Sequence, residues 1–107
     1  MDPQVPEIDV TTLAQRRDVP LVDVREVAEY HEVHVPGAQL LPMSELEARV
    51  DEVPADGEVF VICRSGARSL RVAEFLRAQG IDAINVSGGT LAWVEAGHET
   101  ASGLRPG

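Results

Sequence analysis

The run Val59-Phe60-Val61-Ile62 is the most apolar stretch of the chain, and apolar and polar residues do not alternate along it. A strand with one face in water alternates. One that does not must be covered on both faces, as in a parallel sheet sandwiched between helices. Leu21-Val22-Asp23-Val24, following Pro20, has a similar character. Segments of helical periodicity lie between and after these runs, so strands and helices alternate. This pattern predicts a three-layer α/β domain with about five mostly parallel strands flanked by helices. Ligands of such sheets gather at the carboxyl ends of the strands.

The remaining elements can be placed around this frame. Glu7-Ile8-Asp9 is a short strand candidate, and Thr11 or Thr12 is expected to cap a helix through Arg17 that buries Leu13. Arg25 to Glu32 reads as a helix burying Val27 and Tyr30. Pro36-Gly37 turns the chain into a strand from Ala38 to Leu41. Ser44 and Glu47 form a capping-box pattern for a helix through Val53, with Leu46 and Val50 on its apolar side. After the turn Pro54 to Gly57 comes the central strand, which ends at Cys63. Ser69 to Gln79 then carries Val72, Ala73, Phe75 and Leu76 at helical spacing, with Gly80 as its stop. Ala83 to Val86 is the last strand. Gly88-Gly89 breaks the chain, and Thr90 is expected to cap a final helix in which Leu91, Trp93 and Val94 pack. The domain is placed at residues 7–96, with fraying tails at 1–6 and 97–107.

At 107 residues, 44% of them hydrophobic, the chain suits one core rather than two. It has no apolar run near the ~18 residues of a membrane span and no basic, apolar leader at its start. A soluble cytoplasmic protein without a membrane partner is therefore expected. The net charge of −9 argues against a nucleic-acid partner and against acidic membrane surfaces. All nine basic residues are arginine, and Arg64, Arg68, Arg71 and Arg77 follow closely on Cys63. Arg71 and Arg77 read as the solvated face of a helix.

Cys63 is the only cysteine, which excludes an internal disulfide and leaves a buried apolar residue, a lone metal ligand or a reactive thiol. None of His31, His34 and His98 lies at a zinc-site spacing from it, so no metal site is expected. Cys63 closes an apolar strand, and Arg64-Ser65-Gly66-Ala67-Arg68-Ser69 leads from it into a helix. Backbone N–H groups, the positive end of that helix and two guanidinium groups all favour negative charge at the centre of such a loop. A free thiol titrates at about 8.5, and these surroundings pull it toward neutral pH and below. Gly66 suits the curl of the loop because a side chain there would penalise the backbone. On the residues alone, an inert cysteine at a strand end remains open.

The loop Cys63-Arg64-Ser65-Gly66-Ala67-Arg68-Ser69 resembles the active-site loop of rhodanese-like domains. Asp23-Val24-Arg25-Glu26 with Glu29-Tyr30, His34-Val35-Pro36-Gly37-Ala38, and Gly88-Gly89 before Leu91-Ala92-Trp93 match the same family in the same order. The resemblance covers about residues 7 to 96. One departure is Val33, where the family usually has glycine, which raises the expectation of an altered turn before His34. The resemblance implies a rhodanese-like fold and a Cys63 persulfide held by the loop amides. It makes Arg64, Ser65, Gly66, Ala67, Arg68 and Ser69 the substrate-binding set. Asp23 and Arg25 are read as supports near the strand ends, and His34 as a residue that stabilises its turn.

The implied chemistry is sulfur transfer without a cofactor. The Cys63 thiolate takes the outer sulfur of thiosulfate or a similar donor, and cyanide or a thiol then removes it, in two covalent steps. A thioredoxin-like or other sulfur-accepting protein is an admissible acceptor, and a persulfide-carrying or regulatory module without free turnover is the alternative. Cysteine-dependent phosphatases share the architecture but place five residues between cysteine and arginine. Here four intervene, Arg64 to Ala67, which makes a tighter loop.

Overall fold

A computed structural model of the chain describes residues 5–107. The apolar run becomes β4 (Glu58–Ile62), the centre of a five-stranded sheet of order β1-β5-β4-β2-β3. β5 (Asp82–Val86) and β2 (Leu21–Asp23) flank it, and β1 (Glu7–Ile8) and β3 (Gln39–Leu40) form the edges. Every pairing is parallel, with Val61 opposite both Val22 and Asn85. Parallel neighbours need crossover connections. These contain the helices α1 (Val10–Gln15), α2 (Val27–Glu32) and α3 (Ala67–Ala78), and α4 (Gly89–Glu95) follows β5. The sheet is thus flanked by helices, as the unalternating strands require.

Side chains along a strand alternate between faces, and β4 uses both. Val59, Val61 and Cys63 enter a core layer with Val72, Ala73 and Leu76 of α3. Phe60 and Ile62 enter the opposite layer with Leu13, Tyr30 and Trp93 of α1, α2 and α4. Cys63 therefore continues the α3 face of its strand. Fully burying one such apolar side chain is worth about 1.5–3 kcal/mol, so the middle of the sheet is the most strongly fixed part of the fold.

Several local expectations are corrected. The cap of α1 is Asp9, whose carboxylate accepts the Thr12 N–H at 2.8 Å, and Thr11 and Thr12 lie inside the helix, which ends at Gln15. A carboxylate at the positive helix end outcompetes a hydroxyl one turn later. α2 begins at Val27 because Arg25 is drawn back to Asp23, and Val27 is 46% exposed. Tyr30 is buried as expected and donates its hydroxyl to the Ala38 carbonyl at 2.6 Å. Ser44 does not cap a helix. Its hydroxyl donates to the Glu26 carboxylate at 2.9 Å, and Met43–Glu45 and Glu47–Glu52 are two short 3₁₀ turns kinked at Arg49. Thr90 is not a cap either, since α4 starts at Gly89 with Gly88 before it. Trp93 packs, but Leu91 and Val94 face outward at 45% and 44% exposure.

The segment beyond Gly97, read as a fraying tail, is tied to the domain; of the opposite tail, residues 1–4 lie outside the described residues. His34 and Ala101 exchange both backbone hydrogen bonds at 2.9 Å, and the Gly103 and Gly37 N–H groups reach the His31 and Pro106 carbonyls. The Trp93 indole N–H donates to the Glu99 carbonyl at 2.7 Å. His34 is fully buried, stacks on Tyr30 with ring centroids 3.7 Å apart, and directs its ring nitrogens at the carbonyls of Tyr30, Arg105 and Pro106. Val33 is extended (φ −162°), a conformation open to any residue, so replacing the family's glycine leaves the turn before His34 unstrained.

Removing residues 98–107 strips partners from Trp93, His34 and Gly37. A buried polar group left unpaired costs about 1–3 kcal/mol, so the truncated chain should lose about 2–4 kcal/mol. Thermal unfolding checks this, and an unchanged Tm would mean that the segment is not part of the folded unit.

Candidate functional site

At the end of β4 the chain leaves the sheet at Cys63 and enters α3 through Arg64, Ser65 and Gly66. Gly66 is the N-cap of α3 with φ +106°, a backbone region that L side chains rarely adopt. A Cβ there would also sit 3.3 Å from the Gly88 nitrogen. With this curl the Gly66 N–H donates to the Cys63 Sγ at 3.1 Å, and the Ser69 hydroxyl, one turn on, donates to it at 3.2 Å. Both lie at the positive end of a twelve-residue helix.

Cys63 is 1% exposed. Burial pushes its thiol up, but the Ser69 hydroxyl and the amides of Ser69, Gly66 and Ser65 pull harder the other way. The thiol ends below its ordinary value. No histidine or carboxylate hydrogen-bonds to the Cys63 sulfur among the described residues, and both ring nitrogens of His34 are directed at backbone carbonyls instead.

The arginines divide. Arg68 holds Glu29 of α2 through both guanidinium nitrogens, at 2.8 and 2.9 Å. The Glu29 carboxylate also accepts the Glu26 N–H at the start of α2. Arg68 therefore ties the loop to α2, and first of all its hydrogen bonds hold the Glu29 carboxyl at about 2. Arg64 is exposed and forms no ion pair among the described residues. Arg71 is exposed, and Arg77 pairs with Asp82 at 3.0 Å on the solvated face of α3. Ser65 and Ala67 are exposed at the loop surface, and Ser69 is buried beneath it. Asp23 and Arg25, both buried, form an ion pair at 2.9 Å at the end of β2, and Arg25 also donates to the Val33 carbonyl.

Three contacts went unpredicted. The Thr90 and Leu91 N–H groups donate to the Cys63 and Arg64 carbonyls at 2.9 and 3.0 Å. A Cβ on Gly89 would lie 2.5 Å from both of those carbonyl oxygens, so only glycine lets α4 approach the loop this closely. The Gly-Gly pair was the available signal, legible as a close approach of backbones. The third is Asn85 of β5, 1% exposed, whose amide nitrogen donates to the Gly66 carbonyl at 3.2 Å. Its sign was a polar residue inside an otherwise buried strand. A cleft of about 350 Å³ opens beside the loop, with Arg64, Thr90, Leu91, Val94, Val33 and Glu29 among its walls.

This geometry can hold a sulfur anion, and the chain that builds it is similar to known proteins. The model of the rhodanese-like domain matches residues 9–96. A sulfurtransferase of Allochromatium vinosum is 42% identical over 98 residues, covering 87% of this chain and 92% of its own. The thiosulfate sulfurtransferase GlpE of Coxiella burnetii is 30% identical over 99 residues, 92% of each chain. The crystal structure of a rhodanese-related protein from Thermoplasma volcanium superposes with a TM-score of 0.86 at 29% identity, covering 90% of this chain and 97% of that one. With a matching domain across nearly the whole fold and relatives of the same length, the chain belongs to the rhodanese-like family of sulfurtransferases.

Proposed function

We propose that the protein moves sulfane sulfur from thiosulfate or a similar donor to cyanide or a thiol through a persulfide on Cys63. The observation that carries this reading is the Cys63 sulfur receiving hydrogen bonds from Gly66 and Ser69 at the start of α3, with its thiol lowered despite burial. The thiolate attacks the outer sulfur of the donor, the donor's S–S bond breaks, and sulfite leaves with the bonding electrons. An acceptor nucleophile then attacks the outer sulfur of the persulfide and returns Cys63 to thiolate. The amides and Ser69 stabilise anionic sulfur at both stages.

Of the two loop arginines, Arg64 is the one without a carboxylate partner among the described residues, and it is assigned here to the anionic donor and the departing sulfite. Arg68 holds the loop through Glu29. The acceptor is placed in the cleft beside Arg64, where Leu91 and Val94 offer an apolar wall. A protein thiol, such as that of a thioredoxin-like partner, fits this wall as well as a small one does. The site works in any compartment that keeps the thiol reduced, and the cytoplasm is the proposed one.

Incubation with thiosulfate should add one sulfur to the intact mass of the protein and none to Cys63→Ser, and cyanide should remove it as thiocyanate. No adduct from any sulfane donor would sink the proposal.

Arg64→Ala should lower kcat/KM for thiosulfate roughly ten- to hundred-fold, on the ~1.5–3 kcal/mol of a hydrogen bond to a charged group, and should affect an uncharged organic trisulfide donor much less. Arg68→Ala should act mainly on stability. Its ion pair is a third exposed (38% and 32%), so screening holds the loss to about 1 kcal/mol or less. Because the Glu29 carboxyl is depressed in the folded state, that contribution is complete above its unfolded value of 4.5 and fades as pH falls through about 2. Comparing acid unfolding of the parent with Glu29→Gln checks the sign; parallel curves across that window would contradict it.

Persulfide formation should fall as pH drops through the Cys63 thiol value, and that fall should lie at lower pH than for an ordinary thiol. Ser69→Ala, which removes one of the two donors to Sγ, should move that fall to higher pH, as followed by the initial rate of loading with thiosulfate.

A further inference from the structure

Asn85 sits in β5 opposite Glu7 of β1 on one side and Val61 of β4 on the other. Ala83, two residues earlier, packs in the core layer of α3, so strand alternation sends the Asn85 side chain to the same layer, beneath the sulfur loop. A polar side chain 1% exposed in an apolar layer is costly unless it is hydrogen-bonded. Its amide nitrogen has two hydrogens and two acceptors, Glu7 Oε2 at 2.7 Å and the Gly66 carbonyl at 3.2 Å. Turned over, the amide would set its oxygen against two acceptors, so the Glu7 carboxylate decides which end faces Gly66. The Asn85 oxygen is left buried with no hydrogen-bond partner among the described residues. An alanine or valine would pack there without that cost, so the asparagine has to be explained by what its nitrogen does.

What it touches is the most conformationally free residue of the loop. Gly66, at φ +106°, gives its N–H to the Cys63 sulfur at 3.1 Å, and its carbonyl accepts both the Leu70 N–H of its own helix at 3.1 Å and Asn85 from across the layer. We propose that Asn85, oriented by Glu7, is a positioning residue that fixes Gly66 so that its N–H meets the sulfur of Cys63. Edge strand β1 thereby reaches the sulfur through the Asn85 side chain and the single residue Gly66. The inference rests on the reading of Cys63 as the sulfur-carrying thiolate and adds to it a device that sets how readily the thiolate forms.

The test reads the thiol directly. With one cysteine in the chain, the far-ultraviolet absorbance of the thiolate, titrated against pH with Cys63→Ser as blank, reports Cys63 alone. Asn85→Leu, close in size but without a donor, should raise the titration midpoint by about half a unit to one unit, or roughly three- to tenfold less thiolate at a pH below both midpoints. Glu7→Ala, at an exposed edge position, should raise it in the same direction by less. This second variant separates the causes by sign. Removing a carboxylate favours a thiolate electrostatically and would lower the midpoint, so a rise has only the positional origin. Glu7→Gln, which loses the charge but keeps an acceptor oxygen, should not raise it.

A folded Asn85→Leu titrating like the parent would overturn the proposal, whatever its Tm. If that variant does not fold, Glu7→Ala decides alone, and an unchanged or lowered midpoint overturns it. The titration does not depend on sulfur transfer. Raised midpoints in a protein that no sulfane donor loads would sink the transfer reading and leave the positioning role standing.

Discussion

The sulfur of a cysteine that is 1% exposed can carry negative charge only if the protein solvates it. Much of the local structure answers this requirement. Burial alone would keep the thiol protonated, and water cannot reach it in number, so fixed donors replace water. Alternation in β4 delivers Cys63 to the face covered by α3, and the left-handed turn at Gly66 starts that helix at the sulfur. Ser69, buried one turn into α3, completes the pair of direct donors. Each element is ordinary in itself, and their coincidence at the end of the central strand creates the site.

A ribbon of peptides that turns N–H groups inward leaves its carbonyls pointing outward, and those carbonyls need partners of their own. They find them in the first turn of α4, whose N–H groups have no partners within their own helix. Thr90 serves Cys63, Leu91 serves Arg64, and Gly66 accepts Asn85 from β5 beside the Leu70 N–H of its own helix. The loop is held from outside by donors, as it holds the sulfur from inside. The left-handed Gly89, at the point of closest approach, is a condition of this fit, because a methyl group would collide with two of the carbonyls at once.

How much of this was legible follows from the range of the interactions. The parallel sheet, the central position of β4 and the role of α3 are written in strand composition and helical spacing, which act over a few neighbouring residues. The helix starts were less legible because caps compete: Asp9 displaced Thr11 and Thr12, and Ser44 was diverted to Glu26, eighteen residues away. The same limit hid the division between Arg64 and Arg68, which look alike in the loop and differ only because Glu29 of α2 lies within reach of one of them. Leu91 and Val94 had helical spacing but no neighbour to cover them, which spacing alone cannot reveal. His34 was read as a turn residue, and its hold on the Arg105 and Pro106 carbonyls depends on a segment more than seventy residues later.

The charge distribution joins these points. A chain with a net charge of −9 is an unpromising receiver for an anionic sulfur donor, and only the field near the loop can offset that. Among the described residues, Arg16, Arg25, Arg49, Arg68 and Arg77 are paired with carboxylates and contribute little beyond their partners. Arg64 has no such partner and borders the cleft beside the loop. At physiological ionic strength exposed charges are screened within about 8 Å, so a donor at the loop senses Arg64 and the helix end more than the acidic surface behind them. The pairing of Arg68 with Glu29 sharpens this arrangement, since it offsets the charge of a carboxylate on the cleft wall while keeping the loop in place.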